Sequence, residues 1–352
     1  MKIHRLNYIG SKFQLLEWLE TNIKATTGWS SFAGKRIGDL FAGTGVVSHH
    51  FRLQAAITIT NDAELYSSII AKAFATSIYS PASETFITDC TKEIADKKHL
   101  TATPGYIQTH YSPHPPCERM FFTIENARRI DYIRTRLENA KASLDPSDYT
   151  FLLASLLLSA DAVSNVPAVY GCYLKKFKAK AEKLLTLLPI HDNKIKALDD
   201  SLAFHSDVLS LPSLAKMDAV YLDPPYNERQ YSKNYFPLNM IAKTPTEQEA
   251  EPDLKGKTGI PQTCFMSPFC KKDKVQGAFE KLIGSLKAEW IFTSYNSESL
   301  IKKDAMIALM KKFGDVTVIE RDYKRFKAYE YNEDKKIIEY LFCLKQPQYS
   351  PA

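Results

Sequence analysis

The chain predicts an α/β fold in which a largely parallel sheet is interrupted by a long, mostly helical insertion. Short apolar runs ending in an acidic or turn residue occur near the start and again after residue 200. Residues 66–201 between them carry helical rather than strand periodicity. Two motifs at the ends of predicted strands, a glycine turn and a double proline, are of the kind that ligand-binding α/β sheets place at one edge.

Taken in order, residues 13–24 set Leu15, Leu16, Leu19 and Ile23 at helical spacing. Residues 35–41 read as a strand, Ala42-Gly43-Thr44-Gly45 as a glycine turn, and residues 46–53 as a helix. A second strand over 55–60 ends in Asn61-Asp62. In the insertion, residues 124–137 and 151–163 are the strongest helix candidates, after a proline-rich break at 104–116. The α/β pattern resumes at 202–208 with Asp207 near its end, and again at 218–222. After Tyr226 periodicity is low to about residue 275, the signature of a long functional loop, placed at 228–280. Strands at 290–294, 316–320 and 337–344 complete the sheet. The expected domains are a discontinuous sheet domain, 1–65 and 202–346, and a helical domain, 66–201.

Asp223-Pro224-Pro225-Tyr226 carries most of the chemistry. Neither proline has an N–H for a ladder, so the chain must leave the sheet there, stiff and extended. That exposes a carboxylate, the Pro224 carbonyl and an aromatic face at the C-terminal sheet edge, where open α/β sheets bind ligands. Two acceptors and a ring suit a planar base with an exocyclic amino group; a strand-ending turn with a half-buried Tyr would look the same.

The glycine turn lets a ligand approach the backbone closely at a helix N-terminus, and an acid ending the second strand, Asp62, can take ribose hydroxyls. A nicotinamide site or a plain tight turn would use the same residues. Ser48 stands where the dinucleotide fingerprint has its third glycine. Asp207 either contacts a cofactor or caps a helix.

Together these motifs, in this order, resemble the S-adenosylmethionine-dependent DNA adenine-N6 methyltransferases, of the Dam-like D12 class with the alpha-group motif order. Asn7-Tyr8-Ile9-Gly10-Ser11-Lys12, Asn165-Val166-Pro167 followed by Tyr173-Leu174-Lys175-Lys176, and Tyr295-Asn296-Ser297-Glu298 extend the resemblance over residues 5–345. It implies a Rossmann-like class I methyltransferase sheet with an inserted target-recognition domain, S-adenosylmethionine as cofactor, duplex DNA as substrate and a restriction endonuclease as a companion. Asp223, Pro224, Pro225 and Tyr226 would be the catalytic motif. Tyr8, Lys12, Asp39, Phe41, Gly43, Thr44, Gly45, Asp62 and Asp207 would bind the cofactor, Lys12 facing its carboxylate. Asp223 and the Pro224 carbonyl would accept from the adenine amino group, and Tyr226 would stack on the flipped base. On that reading the Tyr226 ring matters and its hydroxyl does not. Cytosine-N4 or RNA substrates, or a non-catalytic DNA-binding subunit, are the competing readings.

Composition is permissive. The 352 residues, 45% of them hydrophobic and 24% charged, are ordinary for a globular chain. No apolar stretch is long enough to span a bilayer, and the basic start (Lys2, His4, Arg5) lacks the apolar core of a secretory signal. The six scattered cysteines indicate neither a disulfide framework nor a metal site, and a cytoplasmic chain without membrane or metal is expected. The net charge of +6 is concentrated in three lysine- and arginine-rich segments, 175–183, 271–274 and 321–327. Interleaved aromatics (Tyr170, Tyr173, Phe177, Tyr323, Phe326) suit a phosphate-contacting surface.

Overall fold

A computed structural model describes residues 6–192, 200–251, 253–323 and 337–349; Lys2, His4, Arg5, Lys324, Arg325, Phe326 and Lys327 of the sequence analysis lie outside them. The chain divides into two compact units. No helix among the described residues is long and apolar enough to cross a membrane.

The helical unit comprises residues 1–10, 64–199 and 231–265. Its centre is the helix Pro146–Ala162, buried from Phe151 through Ala160 on every side. This is why the sequence shows a nearly continuous apolar run there, broken only by Ser155 and Ser159, instead of an amphipathic stripe. Asp145 accepts from Ser147 N–H to cap its start, with Pro146 in the first turn.

The boundaries differ from those expected in two places. Residues 231–265 are not an irregular loop of the sheet domain but part of the helical unit. Tyr231–Ala242 is a helix kinked at Tyr235 (φ −134°), just before Pro237. Pro237 hides it from a reading that treats proline as a stop, yet Tyr235, Phe236, Leu238, Met240 and Ile241 join the helical core. The buried Arg134 donates to the Ile241 and Lys243 carbonyls at 3.1 Å each, satisfying the end of this helix. A capping box of Thr244 and Glu247 then starts Pro245–Glu249, and a short hairpin pairs Leu254–Lys255 with Ile260–Pro261. Residues 6–10 also belong to this unit: Asn7 N–H donates to Asp161 Oδ2 at 2.8 Å and Ile9 N–H to the Tyr235 hydroxyl at 2.9 Å.

The sheet unit comprises residues 11–63, 200–230 and 266–352. Its strands are β1 (Arg36–Asp39), β2 (Ile57–Asp62), β3 (Leu202–His205), β4 (Met217–Leu222), β5 (Ala288–Asn296), β6 (Asp315–Tyr323) and β7 (Ile337–Lys345). They lie in the order β3-β2-β1-β4-β5-β7-β6. The first five are parallel to their neighbours, while β7 runs antiparallel to β5 and β6. Alternate β4 residues enter two different cores. Ala219 and Tyr221 pack with Leu15, Leu19, Val47 and Phe51, whereas Val220 and Leu222 pack with Phe279, Ile283, Met306 and Met310. Helices therefore cover both faces, as a parallel sheet requires.

Gly314 leads into β6 beside the end of β7, and a Cβ placed on it would overlap the Lys345 carbonyl oxygen. Because that atom is backbone, it cannot turn aside. Gly314→Ala is expected to lower stability by about 3 kcal/mol, read as a fall in the urea midpoint; an unchanged midpoint would mean the two strands separate freely.

Candidate active site

All the groups that converge at the site belong to the sheet unit. The strand order reverses at β1, which has β2 on one side and β4 on the other, so the ends of β1 and β4 flank the crevice where such sheets hold ligands. Asp39, the last residue of β1, pairs across from Tyr221, two residues before Asp223.

The glycine turn follows β1. Gly43 (φ +53°) and Gly45 (φ +70°) both have the left-handed backbone that favours glycine, and Gly45 is the N-cap of the helix Val46–Leu53. Gly43 N–H donates to Asp62 Oδ2 at 2.8 Å, and Ala42 N–H to the Asn61 carbonyl at 3.0 Å, so the end of β2 shapes the turn. Asp39 Oδ2 accepts both the Ser48 N–H (3.1 Å) and its hydroxyl (2.6 Å). Ser48 thus explains its departure from the dinucleotide fingerprint: a glycine there could not make the hydroxyl bond. Asp39 Oδ1 is buried with no hydrogen-bond partner. Burial pushes the Asp39 carboxyl up to about 7 against the opposing Ser48 bonds, with the Asp223 and Asp62 charges adding to the rise.

At the end of β4 four side chains form one cluster. Lys12, at the start of the single turn Lys12–Leu15, is buried and sets its Nζ 2.9 Å from Asp223 Oδ1 and 3.5 Å from Glu339 Oε1. The Tyr226 hydroxyl lies 2.9 Å from Asp223 Oδ1 and 2.8 Å from Glu339 Oε1, and the Lys12 ammonium stands 4.7 Å from the centre of the Tyr226 ring. The edge of the cluster is closed by Tyr295, packed edge-to-face on Tyr226 at 5.0 Å. Burial lowers the Lys12 pKa, but the two carboxylates outweigh it and hold the ammonium above its ordinary range. Burial raises Asp223, opposed by Lys12 and by the Tyr226 hydroxyl; it raises Glu339 too, opposed by Lys12 and reinforced by the Asp223 charge. Both bonds to Asp223 fall on Oδ1, and among the described residues Oδ2 takes none.

The sequence-based residues divide between the units. Lys12, Asp39, Phe41, Gly43, Thr44, Gly45, Asp62, Asp207 and the 223–226 motif are in the sheet unit, and Tyr8 is in the helical unit, stacked on Tyr235 at 4.9 Å. Phe41 packs edge-to-face on Phe269. Asp207 caps the short turn Val208–Ser210 through Leu209 N–H, which ends β3 earlier than expected. Lys12 is ion-paired to Asp223, a contact the motif resemblance did not provide. Asn165 clamps its own segment, its side chain donating to the Met120 and Leu174 carbonyls. Tyr170 is fully buried with its hydroxyl on Asp161, so it is not part of a surface, whereas Lys175 and Lys176 are exposed. Sequence reasoning missed Glu339. The available signal was a carboxylate inside the apolar run Ile337-Ile338-Glu339-Tyr340-Leu341.

The family model for D12 class N6 adenine-specific DNA methyltransferases matches residues 8–309. The chain is 38% identical over 342 residues to the type II methyltransferase M.CviAII of Paramecium bursaria Chlorella virus 1, covering 97% of this chain and 98% of that one. It is 36% identical over 325 residues to M.NlaIII of Neisseria lactamica, covering 92% and 93%. Against M.FokI of Planomicrobium okeanokoites the identity is 30% over 353 residues, with 97% of this chain spanning 53% of that protein. With the glycine turn and the Asp-Pro-Pro-Tyr motif at adjoining strand ends, these matches place the chain in the D12 class of N6 adenine-specific DNA methyltransferases.

Proposed function

We propose that this enzyme moves a methyl group from S-adenosylmethionine to the N6 amino group of an adenine flipped out of duplex DNA, as the modification partner of a restriction endonuclease acting in the cytoplasm. The observation that carries the reading is the geometry of Asp223. One oxygen is held by Lys12 and Tyr226, and the other takes no bond among the described residues, at the end of the strand next to β1. The type II names of the relatives support the restriction–modification setting.

The residues fit the cofactor. Asp39 Oδ1 is a buried acceptor without a partner, suited to an ammonium group, and Gly43 and Gly45 form a turn that leaves room for close approach. Asp62 and Asp207 stand on the neighbouring strand ends, where hydroxyl and amino groups would find acceptors. When bound, S-adenosylmethionine supplies an activated sulfonium methyl, so the protein contributes orientation and charge. Asp223 Oδ2 and the Pro224 carbonyl accept the two N–H groups of N6 and help localise its lone pair. Asp223 takes a proton only as the nitrogen becomes acidic on methylation. Flipping costs roughly a few kcal/mol, part of which stacking on Tyr226 returns.

The exposed Lys175 and Lys176 of the helical unit and Lys272 and Lys274 of the sheet unit are placed to meet phosphates. The helical unit is assigned to target recognition.

Methyl transfer from labelled cofactor to unmethylated duplex DNA, read by nucleoside mass spectrometry, tests this directly. Asp223→Ala is expected to reduce N6-methyladenine formation by about 10²–10³-fold; full activity in that variant, or methylcytosine as the product, would sink the assignment. The hydroxyl contacts support a role for the Tyr226 hydroxyl beside that of its ring. Tyr226→Phe should cost about tenfold through a lost charge-assisted bond, and Tyr226→Ala a further factor of about ten through lost stacking.

Asp39 makes a pH-dependent prediction. Its folded-state carboxyl, pushed up to about 7 from an ordinary 3.8, keeps a proton that the unfolded chain has released. Its contribution to stability therefore declines as pH rises through that window. Asp39→Asn should gain stability relative to wild type between pH 4 and pH 8 in urea titrations, while binding the cofactor more weakly. A constant difference across that range would exclude the buried proton.

A further inference from the structure

We infer that Glu339 positions Tyr226 and Lys12 so that the second oxygen of Asp223 stays open and the cluster keeps a net negative charge for the substrate amino group. This rests on the assignment of Asp223 as acceptor of the adenine N6 protons. Glu339 lies outside the matched family region, 116 residues beyond Asp223, and reaches the cluster because β7 is antiparallel. Its residue pairs with Asn296, the last of β5, so the start of β7 meets the ends of the parallel strands.

The donor and acceptor count gives the reason. The Tyr226 hydroxyl has one proton and two carboxylates within 2.9 Å, so it satisfies one at a time. Lys12 has three protons and serves both acids. Without Glu339, Tyr226 and Lys12 would both act more strongly on Asp223, leaving it a weaker acceptor. With Glu339 present, two carboxylates share one ammonium and one hydroxyl, and a negative charge remains to be met by the substrate.

A role confined to folding would not need this residue. Glu339 is only 3% exposed in a strand whose other residues from Ile337 to Leu344 are hydrophobic, and burying a carboxylate is costly unless specific partners offset it. Lys12, Asp223, Tyr226 and, further off, Tyr221 face it electrostatically. Asn296 and Arg321 are its cross-strand neighbours, and the Arg321 guanidinium lies 5.9 Å from the centre of the Trp18 ring without pairing to Glu339.

The test is the pH profile of kcat for the full-length protein and Glu339→Gln, with thermal unfolding and cofactor binding followed in parallel. Glutamine keeps the shape and an acceptor but removes the charge. The plateau kcat should fall about 10- to 100-fold with KM little changed. The acid limb should move to lower pH, because Asp223 loses a repelling neighbour and no longer shares Lys12 with Glu339. In a Tyr226→Phe background the same substitution should cost less, since part of its effect runs through the hydroxyl. An unmoved profile, or a loss confined to KM or to stability, would overturn the inference. If the glutamine variant does not fold, Glu339→Asp, which withdraws the carboxylate by one methylene, must move the acid limb in the same direction or the inference fails. Wild-type enzyme that forms no N6-methyladenine would defeat the assignment of Asp223 itself; active wild type with an unmoved Glu339→Gln profile defeats only the role of Glu339.

Discussion

The ion cluster of Lys12, Asp223 and Glu339 governs the sheet edge that bears the Asp-Pro-Pro-Tyr motif, because a carboxylate buried there alone would cost several kcal/mol. Two prolines carry Asp223 out of the β4 ladder without any backbone donor to greet it. The charge must therefore be met by side chains, and Lys12 at 2.9 Å and the Tyr226 hydroxyl at 2.9 Å do so on a single oxygen. The same contacts fix the Tyr226 ring, whose hydroxyl is held between Asp223 and Glu339. Acceptor and aromatic face are thus one preorganised object, the condition under which electrostatic catalysis needs little rearrangement.

Sheet topology explains how residues so distant in sequence form that object. The order reversal at β1 brings Asp39 beside the strand that delivers Asp223. The antiparallel β7 brings its beginning, not its end, to the same edge, which is how Glu339 arrives. Lys12 comes from the segment just ahead of the helix Leu16–Thr27, whose Leu19 and Ile23 anchor it in the core on one face of the sheet. Each contributor is held by an element that is itself buried, so a modest shift of β7 would be felt at Asp223.

The parallel strands, the glycine turn and the Asp-Pro-Pro-Tyr motif were legible because their signals are local: apolar runs, left-handed glycines and proline punctuation. The helix Pro146–Ala162 was legible for the same reason. Tyr231–Ala242 was not, because Pro237 inside it mimics a stop while its anchoring contacts, such as Arg134 to the Ile241 carbonyl, come from far away in sequence. The turn itself was visible as glycines, but the Asp39–Ser48 bond beneath it required the fold to bring a strand end onto a helix start. Glu339 and the pairing of Lys12 depend wholly on tertiary placement. A buried charge in a strand signals that a partner exists without saying which.

The charge pattern at this edge also bears on substrate form. Asp223 and Glu339 share the Lys12 ammonium, Asp39 and Asp62 end the neighbouring strands, and the Asp39 and Glu339 carboxyls are raised by burial first and by the Asp223 charge second. Such a site attracts a cationic ligand and repels phosphate. A duplex could not press its backbone into it, whereas a neutral base rotated out of the stack could enter without carrying charge. On the proposed function, phosphate contact falls to exposed lysines such as Lys175, Lys176, Lys272 and Lys274. On that proposal, separating the two tasks would let the acids remain acceptors for an amino group and a cofactor cation while the lysines hold the DNA.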